Sequence, residues 1–207
     1  MITESDQADL ATTLQGTITI DPDQLRRLRE RLVAAADADQ LLDVAYRVID
    51  TPVGRLLLAA TEAGLVRVAY PNEDHDLVLH DLSDRISPRI LQGGGRLDEA
   101  ARQLDEYFAG RRRSFSLELD WRLSAGFRAT VLQHLADIAY GHTASYAAVA
   151  ELAGRPRAVR AVGTACATNP LPVVVPCHRV IKSDGSIGGY LGGLAAKATL
   201  LELEAAA

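Results

Sequence analysis

Three short runs of β-branched and aliphatic residues, separated by turn residues, constrain the fold of this chain more than any other feature. The runs read VAYRVIDT, GRLLLAAT and LVRVAYP and lie within residues 44–71. The segments TPVG (residues 51–54) and EAG (residues 62–64) interrupt them. Proline and glycine at such positions favour tight turns between strands. The pattern therefore predicts an antiparallel meander of three strands.

A helical pattern precedes the predicted meander. Asp21 and Pro22 are typical of a helix start, because Asp caps free backbone amides and Pro fits the first turn. Leu25, Leu28 and Leu32 follow at spacings of three and four residues. They form one apolar stripe along a helix that is predicted to reach about residue 37.

The rest of the first half is predicted to mix helices with one more strand. Residues 75–86 and 97–110 have helical patterns, and the second of these ends at a glycine. SFSLELDW, residues 114–121, is predicted to form a strand. Residues 1–16 are predicted to be a flexible tail.

The second half of the chain is predicted to be mainly helical. GFRATVLQHLADIAYG has apolar residues at helical spacing and stops at Gly141. Ser145 can cap YAAVAELAG, and Pro156 can start PRAVRAVGTACAT. That last helix must end before Asn169, because Pro170 disfavours helix at the residue before it. Two short helices joined by a glycine-containing turn are the helix-turn-helix signature, but a plain helical hairpin explains the pattern equally well.

The second helix of this pair is predicted to have one polar, cationic face. The residues on that face are Arg157, Arg160, Thr164 and Thr168. Val159, Val162 and Cys166 lie on the opposite, apolar face, so Cys166 is interpreted as a buried hydrophobic residue. A cationic face of small residues can approach a phosphate backbone closely and fits a narrow groove.

The net charge of −5 conceals an asymmetry between the two halves. Residues 121–200 carry eight Arg and Lys against three acidic residues, whereas residues 1–120 carry 14 Arg against 22 acidic residues. Such asymmetry is typical of a protein in which one half contacts a polyanion. Two solvated surfaces of different composition explain it more simply, so charge alone does not decide the function.

Several classes of protein are disfavoured by the sequence. No apolar run approaches the roughly 20 residues that span a bilayer. The N-terminus, MITESDQADL, lacks the basic and apolar regions of a secretory signal, which predicts a cytoplasmic location. Two cysteines make a disulfide framework a poor interpretation. None of the cysteines and histidines has the spacing of a zinc site, so no metal is expected.

The segment VVVPCHRVI contains the candidate nucleophile, Cys177. His178, Arg179 and Lys182 follow it closely and predict a cationic neighbourhood, of the kind that lowers the pKa of a thiol. Adjacent side chains diverge in both strands and helices, so His178 can act on Cys177 only through a water or a turn. The histidine would then need a third group to orient it. By itself the Cys-His pair is also compatible with a buried structural thiol.

Three segments together resemble a known family. VPCHRVI, RAVGTACATNP and GGYLGGLAAKATLLELE are similar, in order and spacing, to the O6-alkylguanine-DNA alkyltransferases, also called methylated-DNA–protein-cysteine methyltransferases. The resemblance covers residues 124–204 and extends more loosely from about residue 43, and residues 175–181 match the active-site signature throughout. It implies single-use DNA repair without a cofactor, by a monomer acting on double-stranded DNA that contains O6-alkylguanine. It leaves open whether O4-alkylthymine is also repaired.

The resemblance implies a role for each matching catalytic residue. Cys177 matches the alkyl acceptor, which attacks the O6-alkyl carbon of a guanine flipped from the duplex through the minor groove. His178 is similar to the water-mediated base, and Glu204 to the carboxylate that orients this histidine. Asn169 matches the asparagine that connects the helix-turn-helix to the active-site segment.

The resemblance also implies DNA-binding and pocket residues. Arg160 matches an arginine finger that replaces the extruded guanine, and Tyr146 a tyrosine that crowds the target phosphate. Tyr190 matches the aromatic wall of the guanine pocket, while the Val180 carbonyl and the Leu191 amide would recognise the base edge. The predicted DNA-binding set is Arg160, Tyr146, Arg157 and Thr164, and the predicted pocket is Tyr190, Val180, Leu191 and Pro176.

The expected fold is α+β. A ribonuclease-H-like α/β subdomain with antiparallel strands is expected over residues 41–120, after an extension of residues 1–40. A mainly helical subdomain with the helix-turn-helix is expected over residues 121–207. The chain departs from the family at Leu132 and Ala139, where Trp and Pro are usual, and at Leu191, where small or polar residues are common. A bulky side chain at the last position could alter tolerance for larger alkyl groups.

Three other functions compete with this interpretation. An alkyltransferase-like binding protein would lack the acceptor, and Cys177 argues against it. A transcription factor would protect specific sequences of undamaged DNA, whereas weak, strongly salt-dependent binding would argue against one. A cysteine hydrolase would turn over repeatedly and would need an oxyanion hole, which the sequence does not reveal.

Overall fold

The computed structural model describes residues 21–206, and the first part of that range is built on a four-stranded sheet. The sheet has the order β3-β2-β1-β4, and its strands are β1 (Val44–Thr51), β2 (Gly54–Thr61), β3 (Gly64–Ala69) and β4 (Ile90–Gln92). β2 pairs antiparallel with both β1 and β3, so the predicted meander is confirmed. The fourth strand, β4, is not among the predicted strands and pairs parallel with β1. The predicted tail over residues 1–16 lies outside the described residues.

The central strand β2 is buried on both faces. Leu56 and Leu58 point into the main core, whereas Leu57 and Ala59 point into a second cluster on the other face. This two-residue alternation is the normal geometry of a strand, and a strand covered on both sides has a continuous apolar sequence. It explains why the segment LLLAA shows no polar alternation.

Three α-helices accompany the sheet: α1 (Pro22–Ala38), α2 (His75–Arg85) and α3 (Asp98–Phe108). α1 begins as predicted, since the Asp21 side chain accepts a hydrogen bond from a first-turn amide. The predicted leucine stripe is wrong as a packing face, because Leu28 and Leu32 are 49% and 58% exposed. α1 lies along the edge strand β4 and touches it on one narrow side, where Val33 is the buried residue.

The segment of residues 114–121 does not form the predicted strand. Its only sheet-like pairing among the described residues is one parallel bridge between Leu65 and Leu119. Asp120 ends the extended conformation, because its side chain accepts the Arg122 amide and caps a 3₁₀ turn over Trp121–Leu123. A local capping interaction thus prevails over a sequence of high strand propensity.

The C-terminal part contains α4 (Gly126–Leu135), α5 (Tyr146–Leu152), α6 (Val159–Ala167) and α7 (Gly193–Ala205), with a small parallel pair of β5 (Ala144–Ser145) and β6 (Val180–Ile181). α4 ends before the predicted stop at Gly141, because i→i+3 hydrogen bonds tighten the chain over residues 136–138. α6 ends before Asn169, as predicted.

The start of α6 differs from the prediction. Residues 155–158 form a turn closed by a hydrogen bond from the Ala158 amide to the Arg155 carbonyl, so the helix begins at Val159 and not at Pro156. Arg157 therefore lies before the helix and does not share a helical face with Arg160. The helix pair itself is present, and its first helix is capped by the Ser145 side chain as predicted.

The two parts of the chain share one hydrophobic core. Leu58 and Leu104 from the N-terminal part belong to the same buried cluster as Val131, Val162 and Leu200 from the C-terminal helices. No helix within residues 21–206 is long and apolar enough to cross a membrane. In the same range, no three His, Cys, Asp or Glu side chains are grouped as ligands for a metal ion.

Candidate active site

Cys177 occupies the first position of a 3₁₀ turn and is held from one side by Asn169. The thiol is buried, with Cys177 only 2% exposed. The Asn169 amide donates hydrogen bonds to Cys177 Sγ at 3.1 Å and to the Val175 carbonyl at 2.9 Å. Its oxygen accepts the Leu171 amide at 2.9 Å. One fully buried side chain therefore fixes both ends of the segment that carries the thiol.

The backbone before the thiol includes an unusual conformation. Val173, which is fully buried, has a φ of 72°. A β-branched residue rarely adopts this left-handed region, and such a conformation costs on the order of 1–3 kcal/mol. The hydrogen bonds of Asn169 span this residue and hold the segment in place.

Burial determines the state of the thiol. Desolvation raises the pKa of Cys177 to about 11, and the opposing effects of the Asn169 hydrogen bond and the Lys197 charge are smaller. The cationic residues next to Cys177 in sequence are expected to lower the pKa of the thiol, and this expectation is wrong. Arg179 is directed to Glu204 and Lys182 is exposed, so neither cation close in sequence stabilises a thiolate. The resting group is a thiol that needs a base.

His178 is fully buried and is oriented by Glu204. Its Nε2 lies 2.9 Å from Glu204 Oε1, while Nδ1 is buried and makes no hydrogen bond with any residue in the described range. Desolvation lowers the pKa of His178, against the opposing effect of Glu204. A neutral imidazole with its proton on Nε2, facing the carboxylate, leaves a lone pair on Nδ1. The ring is therefore set up to accept a proton.

Glu204 lies at the centre of a buried polar cluster rather than at a frayed end. Arg179 donates to both of its oxygens, from Nε at 2.9 Å and from Nη2 at 2.9 Å. The Tyr107 hydroxyl and the Gly141 amide also donate to it, at 2.8 Å and 3.1 Å. Burial raises the pKa of Glu204, but the hydrogen bonds from His178 and Arg179 prevail and lower it to about 2. The carboxylate is therefore charged at neutral pH.

The predicted pocket residues differ in their exposure. Val180 and Pro176 are buried, while Tyr190 and Leu191 are partly exposed. The Val180 carbonyl, predicted to face the base, accepts a hydrogen bond from Lys197 Nζ at 2.6 Å. A carbonyl oxygen has two lone pairs, so this bond leaves one for a ligand.

The residues expected to contact DNA are separate from the buried cluster. Arg160 and Thr164 are exposed on α6, and Arg157 is exposed in the preceding turn. Neither arginine makes a hydrogen bond or ion pair with another side chain in the described range, whereas the Thr164 hydroxyl donates to the Arg160 carbonyl at 3.2 Å. Tyr146 is partly exposed at the start of α5.

Two family models match consecutive parts of the chain. The model of the 6-O-methylguanine DNA methyltransferase ribonuclease-like domain matches residues 44–121, and the model of the DNA binding domain of the same family matches residues 126–206. The chain belongs to the 6-O-methylguanine DNA methyltransferase family. The resemblance and the α+β fold expected from the sequence are thereby confirmed.

Individual relatives of this methyltransferase family agree over the same range. The chain is 42% identical to the methylated-DNA–protein-cysteine methyltransferase of Mycobacterium leprae, over 76% of the chain and 90% of that protein. It is 40% identical to the constitutive enzyme of that name from Bacillus subtilis, over 77% of the chain and 94% of that protein.

Solved structures have the same fold. The crystal structure of the Mycobacterium tuberculosis O6-methylguanine methyltransferase superposes with a TM-score of 0.69 and is 38% identical, covering 79% of this chain and 93% of that one. A crystal structure of the Mycobacterium tuberculosis protein in complex with DNA superposes with a TM-score of 0.67, covering 78% and 93% of the two chains at 38% identity.

Several residues of the methyltransferase site escape sequence reasoning. Arg179 follows His178 directly, but nothing in the sequence shows that it binds Glu204. Tyr107 and Tyr70 lie in the N-terminal part, so their contacts with the site depend on long-range packing. Lys197 is fully buried, and only its rarity in the sequence sets it apart, since the chain has lysine at positions 182 and 197 alone.

Proposed function

We propose that this protein repairs DNA by transferring one alkyl group from O6-alkylguanine to Cys177, and that each molecule acts once. Two buried contacts support this most strongly: Asn169 holds the Cys177 thiol, and Glu204 orients His178. They combine a held thiol with a neutral histidine whose Nδ1 has no partner among the described residues. Such a thiol is inert until a base removes its proton.

The proposed reaction is a single displacement. The Cys177 proton passes through a water to His178 Nδ1, and the sulfur attacks the alkyl carbon as the bond from that carbon to O6 breaks. The guanine leaves as an anion with the electron pair of the broken bond and takes up a proton from solvent water, and the His178 imidazolium afterwards releases the thiol proton to solvent. Glu204 stabilises the imidazolium, because its carboxylate is already charged. The thioether has no leaving group for water to displace, so the protein is not regenerated.

The burial of Cys177 supports a mechanism in which the guanine leaves the duplex. A thiol that is 2% exposed is poorly placed to reach a base inside a stacked helix, so we propose that the nucleotide rotates out of the helix toward Cys177 and Tyr190. We place α6 in the minor groove, where its small, polar residues fit without reading sequence. Arg160 would fill the vacated space, Tyr146 would crowd the phosphate, and Arg157 and Thr164 would contact the backbone.

We assign these tasks to different parts of one monomer. Residues 121–207 bind DNA and carry the acceptor, and residues 41–120 support them. The proposed substrate is double-stranded DNA containing O6-alkylguanine. The size of the alkyl group that the protein accepts depends on the bulk of Leu191 and is to be measured.

Transfer from labelled DNA tests the proposal. Duplex DNA with a radiolabelled O6-methylguanine is incubated with a known amount of protein, and the label is located by peptide mapping. We expect at most one methyl group per protein molecule, on the peptide that contains Cys177. Repeated turnover, or protein that stays unlabelled while the DNA keeps its methyl group, would refute the proposal.

The pH dependence of transfer reports on His178. Because burial lowers the pKa of His178, it stays neutral at pH 7, and the wild-type rate should fall only below that lowered pKa. For His178→Gln we expect a rate about 10²- to 10⁴-fold lower at pH 7. The variant rate should then rise about tenfold per pH unit, because the thiolate fraction grows until the pKa of about 11.

Single-turnover rates between pH 6.5 and 9.5 measure this difference. His142→Gln, at an exposed histidine, is the matched control and should leave the profile unchanged. A His178→Gln profile parallel to that of the wild type would show that His178 is not the base.

Arg160→Ala tests base extrusion separately from chemistry. Filling the gap left by the base offsets part of a cost of a few kcal/mol, so we expect duplex repair to slow by about 10- to 100-fold. Reaction with the free base O6-methylguanine, which needs no extrusion, should change little. Arg27→Ala, at an exposed arginine on α1, is the control. Equal losses on both substrates would contradict a role in extrusion.

A further inference from the structure

We propose that Tyr70 and Asn72, from the N-terminal part of the chain, are positioning residues of the guanine pocket. Tyr70 directs the hydroxyl of Tyr190 toward the ligand, and Asn72 orients the peptide that carries the Leu191 carbonyl. The inference rests on the proposed function. It means that the N-terminal part affects the rate of alkyl transfer and does not only support the fold of the C-terminal part.

Tyr70 reaches the pocket from the end of β3. Its hydroxyl lies 2.9 Å from the Tyr190 hydroxyl, and the two rings meet edge to face with centroids 5.7 Å apart. Tyr70 is only 1% exposed, whereas Tyr190 is partly exposed at the pocket. The pair therefore joins a buried residue of one part to a pocket residue of the other.

Either hydroxyl of the pair could donate, and we infer that the buried Tyr70 does. If Tyr190 donated, the Tyr70 proton would have no acceptor among the described residues, and a buried unsatisfied hydroxyl is costly. With Tyr70 as the inferred donor, the Tyr190 proton is free to point elsewhere. Burial also raises the pKa of both phenols, so both keep their protons at neutral pH. We infer that the Tyr190 proton is directed to the proposed pocket, where an acceptor on the purine edge can receive it.

The backbone of the pocket loop is fitted to the Tyr70 ring. A Cβ atom added to Gly192 would lie 2.6 Å from Tyr70 Cε1, closer than real Cβ contacts come. The loop can thus approach Tyr70 only because residue 192 is glycine. The ring and the loop are therefore in close contact.

Asn72 holds the peptide group between Leu191 and Gly192 in the same loop. Its side-chain amide donates to the Leu191 carbonyl at 2.8 Å. A peptide is planar, so holding the Leu191 carbonyl also fixes the amide of Gly192. Tyr70 and Asn72 are two residues apart in sequence and hold consecutive positions of the loop, one through a side chain and one through the backbone.

Single-turnover alkyl transfer to Tyr70→Phe tests the inference. This variant keeps the ring against Gly192 and removes only the hydroxyl. Loss of one oriented hydrogen bond should slow transfer about three- to tenfold. The loss should be equal with methylated duplex DNA and with the free base O6-methylguanine, because the defect lies in the pocket and not in DNA binding. Asn72→Ala should slow both reactions in the same way.

A double-mutant cycle distinguishes positioning from a general structural effect. In a Tyr190→Phe background, Tyr70→Phe should cause no further loss, because the hydroxyl that it directs is gone. Tyr46→Phe is the matched control, since the Tyr46 hydroxyl makes no hydrogen bond with a described residue, and its rate should equal that of the wild type.

Two results would overturn the inference and leave the proposed function intact. One is a Tyr70→Phe rate equal to that of an active wild type. The other is a loss that is fully additive with Tyr190→Phe. A wild-type protein that transfers no alkyl group would instead overturn the proposed function, and the inference with it.

Discussion

Cys177→Ala should abolish alkyl transfer completely while leaving the binding of damaged DNA intact. The variant removes the acceptor atom, and no other side chain can replace it. Cys166 is buried on the core side of α6, as the sequence predicts, and burial raises its pKa strongly. The loss of one buried sulfur should destabilise the fold by only about 1 kcal/mol. Transfer from radiolabelled O6-methylguanine DNA measures the first effect, and an electrophoretic shift measures the second.

Cys166→Ala is the matched control for Cys177→Ala. It removes a thiol of similar burial and should retain transfer at a rate close to that of the wild type. Label that still appears on the Cys177→Ala protein would place the acceptor elsewhere. Loss of DNA binding by this variant would mean that the thiol also supports the recognition surface, contrary to its buried position.

Glu204→Ala should cause the largest loss of stability, about 3–5 kcal/mol, together with a large loss of transfer. The variant leaves Arg179 buried without its partner, and an uncompensated buried charge is strongly destabilising. It also removes the group that orients His178, so we expect transfer to fall by a factor approaching that of losing the base, about 10²–10⁴. Urea unfolding and single-turnover rates measure the two effects.

A double replacement separates the two effects of Glu204. Arg179→Met combined with Glu204→Leu replaces the ion pair with apolar side chains of similar size, which is often close to neutral for stability. We expect the double variant to regain the part of the stability lost through the unpaired Arg179 charge, although Tyr107 and Gly141 still lack their acceptor. It should not regain the lost transfer, because His178 still lacks its partner. Recovery of transfer by this variant would show that Glu204 has no role beyond folding.

The same carboxylate predicts how stability depends on pH. The pKa of Glu204 is about 2 in the folded protein, against an ordinary value of 4.5. A lowered folded-state pKa means that the stabilisation is fully present above pH 4.5 and is lost as the pH falls toward 2. The difference in stability between the wild type and Glu204→Ala should therefore narrow across this range. A constant difference would mean that the carboxylate is not ionised in the fold.

Local signals explain what the sequence predicts correctly. The meander depends on turn residues that adjoin the strand residues in sequence. The cap of α5 depends on a hydrogen bond from the Ala148 amide to the Ser145 hydroxyl, three residues away. β4 has only three residues and forms by parallel pairing with a strand about 40 residues earlier in the chain, so no local pattern reveals it.

The residues of the candidate site likewise fall into those that a local motif reveals and those that only long-range packing brings together. The positions of Cys177, His178 and Glu204 follow from motifs that resemble a family, whereas Tyr107 and Tyr70 come from elsewhere in the fold and carry no motif. The protonation state of the Cys177 thiol also depends on contacts between residues that are distant in sequence. Arg179 is near Cys177 in sequence, but in space it binds Glu204, and burial then controls the pKa of the thiol.

The hydrogen bond from Tyr107 to Glu204 also bears on how the molecule unfolds. It joins α3 to the last turn of α7 across the shared core, so neither matched region has a complete interior by itself. The isolated segment 126–206 would lose a donor to its central carboxylate and would expose apolar surface that the sheet normally covers. We therefore expect a single cooperative unfolding transition. A repair module cut from this chain at the boundary between the two family regions should not be autonomous.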